Sequence, residues 1–213
     1  MFKNLPYQTI LALSPHTDDI EFGCGGTLAR LIEQGAEIHT AVFSLCEQSV
    51  PEGYPDDVLL HEMRASAAVY GIPESQQHVY QYPVRRFSEH RQDILEEMVA
   101  LRKSIQPDLV FTPATYDIHQ DHEVISQESI RAFRFGSMLG YELPWNNLHS
   151  AAPCLITISQ ENLKKKSTAL ACYKSQGFRH YSQPEIFRAQ ATMRGLQNRS
   201  DLSEAFEVIR LIY

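Results

Sequence analysis

Thr9-Ile10-Leu11-Ala12-Leu13-Ser14-Pro15-His16-Thr17-Asp18-Asp19-Ile20-Glu21-Phe22-Gly23-Cys24-Gly25-Gly26-Thr27-Leu28 begins as an apolar run and turns abruptly polar. The run over residues 9–13, bounded by Pro6 and Pro15, is too short for an ordinary helix and reads as a buried strand. Residues 14–21 read as a polar loop leaving its carboxyl end. Residues 27–34 have helical spacing, and Gly35 stops them. The stretch is the first half of a βαβ unit.

The pattern continues outward. Residues 38–45 read as a second strand, 46–57 as a loop bordering the same rim, 59–70 as a helix ending at Gly71, and 78–84 as a short strand. Residues 93–105 read as a helix closed by Pro107, and 109–113 as another buried strand. The loop carrying His119 to His122 starts a helix; 154–158 is strand-like and 161–173 helical, while the remaining segments show no clear period. Strands alternating with helices predict an α/β fold: a Rossmann-like three-layer sandwich around a mostly parallel central sheet. A chain of 213 residues with no repeats or low-complexity linker predicts one domain over 1–213.

Composition narrows the function classes. Nineteen Lys and Arg against 26 Asp and Glu give a net charge of -7, the opposite of a nucleic-acid footprint. The one basic run, Lys164-Lys165-Lys166, reads as a solvated helix face. With 43% hydrophobic and 21% charged residues the chain can build a full core. No stretch approaches the roughly 20 apolar residues that cross a bilayer. Residues 1–6 lack the layout of a secretory signal, so the expectation is a soluble, cytoplasmic protein without membrane or nucleic-acid partners. Cys24, Cys46, Cys154 and Cys172 are scattered, with no Cys-x-x-Cys, and read as reduced thiols.

Two loops leave strand ends with dense chemistry. One is Ser14 to Glu21; the other is Asp117-Ile118-His119-Gln120-Asp121-His122-Glu123. In an open α/β sheet such loops meet beyond the carboxyl ends of the strands. Imidazoles mixed with carboxylates suit a divalent transition metal such as zinc, whose catalytic form keeps three protein ligands and one open position. His16 and Asp19 can turn inward from one loop while Asp18 stays free as a general base. One histidine of the second loop can complete the ligand shell while the other stands off as an acid or oxyanion donor, and Asp121 can orient a ring. Either loop alone is a common solvated motif; the pair at equivalent strand ends is more specific. Gly23-Cys24-Gly25-Gly26 does not make a dinucleotide turn, because it is not Gly-x-Gly-x-x-Gly and lies too far past the strand. These small residues instead let the helix start pack closely.

Residues 14–28 closely resemble the opening motif of the LmbE-like, or PIG-L, deacetylases, zinc enzymes that remove the acetyl group from N-acetylglucosamine in conjugates. His119-Gln120-Asp121-His122 resembles the family's second motif. Residues 62–68, 169–176 and 204–206 are similar to it as well, so the resemblance spans nearly the whole chain. It implies that His16, Asp19 and His122 bind one zinc ion, that Asp18 is the general base, and that His119 protonates the leaving amine or steadies the oxyanion with Asp121 as its partner. It also implies substrate binding by Arg64, and Tyr181 is a possible match for a tyrosine that assists the oxyanion. Thr17 stands where the family usually has proline, which predicts altered loop stiffness with the metal retained.

The expected substrate is a small N-acetylated amino sugar, free or conjugated; related enzymes often assemble, so a homo-oligomer is possible by analogy. A non-catalytic sugar- or nucleotide-binding module is the alternative. A phosphoester hydrolase is a third reading, lacking a second metal or an arginine-rich cradle. His39, His61, His78, His90, His149 and His180 read as core or surface residues, although the cluster Phe178-Arg179-His180-Tyr181 could line a sugar pocket; Arg85-Arg86 reads as two exposed arginines, with contact to an anionic substrate group as the alternative, and Trp145 as either a sugar platform or a loop anchor.

Overall fold

A computed structural model describes residues 6–212. The segment 1–5, on which most of the reading of an unexported chain rests, lies outside the described residues. Seven strands form one sheet in the order β3-β2-β1-β4-β5-β7-β6. They are β1 Thr9–Ser14, β2 Glu37–Val42, β3 Gln77–Val79, β4 Leu109–Pro113, β5 Ser137–Tyr141, β6 Cys154–Thr157 and β7 Ser203–Arg210. Strands β1 to β5 pair in parallel; β7 runs antiparallel between β5 and β6. The expected α/β sandwich is therefore present, with an antiparallel edge added from the C-terminal residues whose pattern was unclear.

The helices are α1 Asp19–Glu33, α2 Val58–Tyr70, α3 Arg91–Ile105, α4 Gln120–Ala132, α5 Gln160–Leu170 and α6 Pro184–Gln197. The pleat of β1 explains why its apolar run is unbroken. Ile10 and Ala12 face one core layer with Leu28, Leu31, Tyr70, Leu163 and Phe187. Leu11 and Leu13 face the other, with Ile94, Met98, Leu101, Val124 and Ile125. A strand covered on both faces has no polar side to show. No helix among the described residues is long and apolar enough to cross a membrane.

One expectation fails. Helix α1 begins at Asp19, so the end of the polar loop and all the glycines are helical. A Cβ on Gly23 would lie 2.2 Å from the Tyr141 ring, one on Gly25 2.5 Å from the Tyr70 hydroxyl, and one on Gly26 2.7 Å from Ile158. The helix accepts glycine's entropic penalty because only glycine admits this approach. Two side chains use the space opened. The Glu204 carboxylate accepts from the backbone N–H of Gly26 at 3.0 Å and of Thr27 at 2.6 Å. Lys166 donates to the Phe22 carbonyl and to Glu204, each at 2.7 Å, so two of its three N–H groups are met inside the core. Lys166 thus leaves the basic run 164–166, expected to be solvated, and enters the core at 3% exposure.

Candidate metal centre

The strand order reverses between β1 and β4, and both histidine loops leave those two strands. Each loop ends on a helix N-terminus: Asp18 is the N-cap of α1 and His119 the N-cap of α4. Backbone direction therefore drives the two motifs into one crevice. A cavity of about 310 Å³ opens there, lined by both loops and by Cys46, Ser49, Arg85, Trp145, Arg179 and Tyr181. Loop 46–57 thus borders the site.

Within the crevice, nitrogens of His16, His119 and His122 lie within 4.8 Å of one another, a group able to hold a metal. A tighter figure includes Asp19. His16 Nδ1 lies 3.1 Å from Asp19 Oδ2, His122 Nε2 lies 3.3 Å from the same oxygen, and the two nitrogens are 3.2 Å apart. Donors about 2.0–2.1 Å from a tetrahedral zinc stand about 3.3 Å from each other, so these atoms fit three corners of one ligand shell.

The outer hydrogen bonds fix which nitrogens face inward. His122 Nδ1 donates to Asp117 Oδ2 at 2.8 Å, and His16 Nε2 donates to Asp121 Oδ2 at 3.0 Å. In the neutral rings both inward nitrogens then carry lone pairs, aimed at each other and at a carboxylate. Without a cation, only an added proton relieves that arrangement. Burial works against protonating His122, but Asp19 and Asp117 outweigh it and hold its pKa up at about 10. His16 is raised too, burial being outweighed by Asp19 and Asp121. Burial likewise opposes ionisation of Asp19, yet His122 and His16 keep its carboxyl well below the usual range. The donor set fits a divalent cation.

Asp18 and His119 stand apart from this triangle. The Asp18 carboxylate makes no capping bond, although aspartate at an N-cap normally does. Burial, followed by the charge of Asp19, pushes its pKa up to about 6 against the pull of His16 and Arg179. His119 Nδ1 accepts from the Asp121 backbone N–H at 3.2 Å, so the neutral ring carries its proton on Nε2. Burial, then His122 and His16, bring its pKa down to about 4.

Two expected partnerships are corrected. The Asp121 carboxylate orients His16, not His119, and also accepts from the Arg85 backbone N–H at 2.6 Å. Asp121 hydrogen-bonds His119 through its backbone N–H, while the charge of its carboxylate acts on that ring from a distance. Arg64 is not among the residues lining the cleft; it lies on the outer side of α2 with its guanidinium 4.0 Å from Glu74. Tyr181 does line it, stacked on Trp145 with ring centroids 4.3 Å apart. Thr17 is buried, and its backbone carbonyl accepts from the Tyr173 hydroxyl at 2.5 Å, a tether that a proline at this position would keep. The sequence places Asp117 in the second loop without a role, Arg179 in a cluster able to line a sugar pocket, and Arg85 as exposed or facing an anionic substrate group; spacing alone does not bring either arginine to the second motif. The six histidines outside the motifs do not line the cleft.

Residues 11–133 match a family model described as PIG-L, GlcNAc-PI de-N-acetylase. A protein of Escherichia coli (strain K12) named uncharacterized deacetylase YaiS is 31% identical over 177 residues, spanning 78% of this chain and 90% of that protein. The structure of N,N'-diacetylchitobiose deacetylase from Pyrococcus horikoshii superposes with a TM-score of 0.80 at 20% identity, over 96% of this chain and 84% of that one. GalB, the 4-carboxy-2-hydroxymuconate hydratase from Pseudomonas putida KT2440, superposes with a TM-score of 0.79 at 17% identity, over 97% and 98% of the two chains. Since one fold carries a deacetylase and a hydratase, fold alone does not choose the reaction; the site must.

Proposed function

The chain belongs to the PIG-L family of de-N-acetylases, and on that premise we propose that its single domain is a zinc-dependent hydrolase removing the N-acetyl group from an N-acetylglucosamine-type amino sugar, free or in a small conjugate. The observation that carries this reading is the 3.1–3.3 Å triangle of His16, Asp19 and His122, with an uncommitted carboxylate, Asp18, beside it.

A zinc ion held by those three side chains would supply Lewis acidity to the acyl oxygen and to a water. The protein's own groups do the rest. Asp18, with a pKa of about 6, is ionised near neutrality and can take the proton of the attacking water. His119 stays neutral with its proton on Nε2, which suits a hydrogen bond to the acyl oxygen as negative charge develops on it. A ring with a pKa of about 4 is a poor reservoir for a proton, so we assign return of the proton to the leaving nitrogen to Asp18 and the oxyanion to His119. Trp145 and Tyr181 supply an aromatic wall against which a sugar ring can lie.

The test uses zinc-loaded protein and a panel of N-acetylated sugars scored for acetate. Asp18→Asn should keep stoichiometric zinc and lose on the order of 10²–10⁴ in turnover. Full activity in that variant removes Asp18 from the mechanism; absence of metal and of acetate release in the parent removes the hydrolase.

A further inference from the structure

His39 and His78 lie 39 residues apart and outside the cleft, yet their rings meet. His39 is on β2 and His78 on β3, at the edge of the sheet. The parallel register puts His78 opposite Ala41, two residues beyond His39. Side chains two apart on a strand share a face, so both imidazoles stand on the same side of the sheet, on a diagonal. His39 Nδ1 and His78 Nε2 are 3.4 Å apart, and the ring planes differ by 21°. That separation is longer than the roughly 2.9–3.0 Å typical of a protein N–H donor. It is close to the separation of about 3.3 Å between two donors of a tetrahedral zinc shell.

The far side of the pair repeats the plan of the catalytic triangle. His39 Nε2 lies 3.2 Å from Glu37 Oε1, and that oxygen also accepts from Gln76 Nε2 at 2.7 Å. A neutral His39 therefore carries its proton on Nε2 and turns the Nδ1 lone pair toward His78. A carboxylate behind an imidazole orients it as a ligand and raises its basicity. Burial, followed by the charge of His39, lowers the His78 pKa, so this ring is neutral near pH 7, the form that binds metal. The His39 side chain is 14% exposed and His78 is half-buried, so water can reach the pair and fill the remaining ligand positions.

We propose that His39 and His78 form a second site for a divalent transition metal, outside the catalytic crevice, and that the ion clamps the three-residue edge strand β3 to β2. Two imidazoles with open positions for water suit Zn2+ and Cu2+. Among the described residues no third His, Cys, Asp or Glu joins the pair, so the site binds more weakly than the triangle of His16, Asp19 and His122. It is independent of the reaction in the cleft.

Metal-free full-length protein is titrated with Zn2+ in a calorimeter. The parent should take up two ions per chain, the second more weakly than the first. In His39→Gln and in His78→Gln the weaker ion should be lost, while the tighter one keeps its affinity. Glu37→Gln should weaken the second ion about 10–100-fold and leave the first unchanged. Zinc beyond the first equivalent should raise the urea midpoint of the parent and leave that of His78→Gln where it is. Midpoints of the metal-free variants verify that they fold. Imidazole 15N spectra of the parent need no variant: the second equivalent should shift one Nδ1 and one Nε2 resonance together. A parent that binds one ion only, or a second ion retained in either histidine variant, overturns the proposal. So does a second equivalent that leaves those ring nitrogens unmoved, which would make the pair a hydrogen bond and nothing more.

Discussion

Replacing Asp117 by asparagine tests whether the outer carboxylates build the metal centre. Asp117 is 4% exposed, and both its oxygens are used. Oδ1 accepts from the His119 backbone N–H at 2.9 Å, while Oδ2 accepts from His122 Nδ1 at 2.8 Å and from Asn146 at 3.3 Å. Asparagine keeps the shape but has one oxygen. If its NH₂ faces His122, that ring must move its proton to Nε2, the atom that belongs to the triangle. If the NH₂ faces His119, two donors collide at the start of α4. Loss of such an outer carboxylate typically weakens metal binding about 10–100-fold, or about 1.4–2.7 kcal/mol. Zinc affinity would be read by competition with a chromophoric chelator at pH 7, with circular dichroism melts of both proteins to verify folding. A folded Asp117→Asn protein that binds zinc within twofold of the parent would refute the assignment of inward-facing lone pairs.

The same geometry makes zinc binding depend on pH. The His122 proton, held with a pKa of about 10, must leave, and His16, also raised, adds to it, so affinity should rise about tenfold or more per pH unit from 6.5 to 9, with at least one proton released per ion in calorimetry across buffers. Because this pKa is raised on folding, the metal-free protein has its full contribution below pH 6.5 and loses it as pH climbs toward 10. A metal-free urea midpoint that increases over that window contradicts this. Gly23→Ala should destabilise by at least about 1–3 kcal/mol, because its methyl would meet a Tyr141 ring that is anchored to the Leu13 carbonyl at 3.0 Å. An unchanged urea midpoint for that variant would contradict the packing of α1 on β5.

What could be read from the sequence follows from burial. Strands β1 and β4 are covered on both faces, so their runs are apolar apart from Thr9, Ser14 and Thr112. Strand β5 carries Gly140, where a Cβ would lie 2.9 Å from Ala114, and that glycine hides the run. Strand β7 alternates Glu204, Ala205, Phe206 and Glu207, but Glu204 is buried for a partner far away in sequence, which obscures the pattern. Helix α1 was misjudged at its start because glycines and acids argue for a loop locally, and only tertiary contacts overrule them. Arg64 was misplaced for a simpler reason. On α2 the buried positions include Leu59, Glu62, Met63, Ser66 and Ala67, which leaves position 64 on the outer side. Asp121 shows the limit of adjacency: its neighbour in sequence is His119, while its carboxylate crosses the crevice to a ring 105 residues earlier.

The contact between Gly26 and Glu204 spans 178 residues. At a synthesis rate of about 5–20 residues per second, the helix that presents Asp19 leaves the ribosome roughly 10–35 s before its stabilising carboxylate does. During that interval the glycine-rich turn has neither Lys166 nor Glu204 to lean on, and Thr17 is not yet held by Tyr173. A side-chain triangle of this geometry is therefore complete only late in synthesis, after the last strand has slotted between its neighbours.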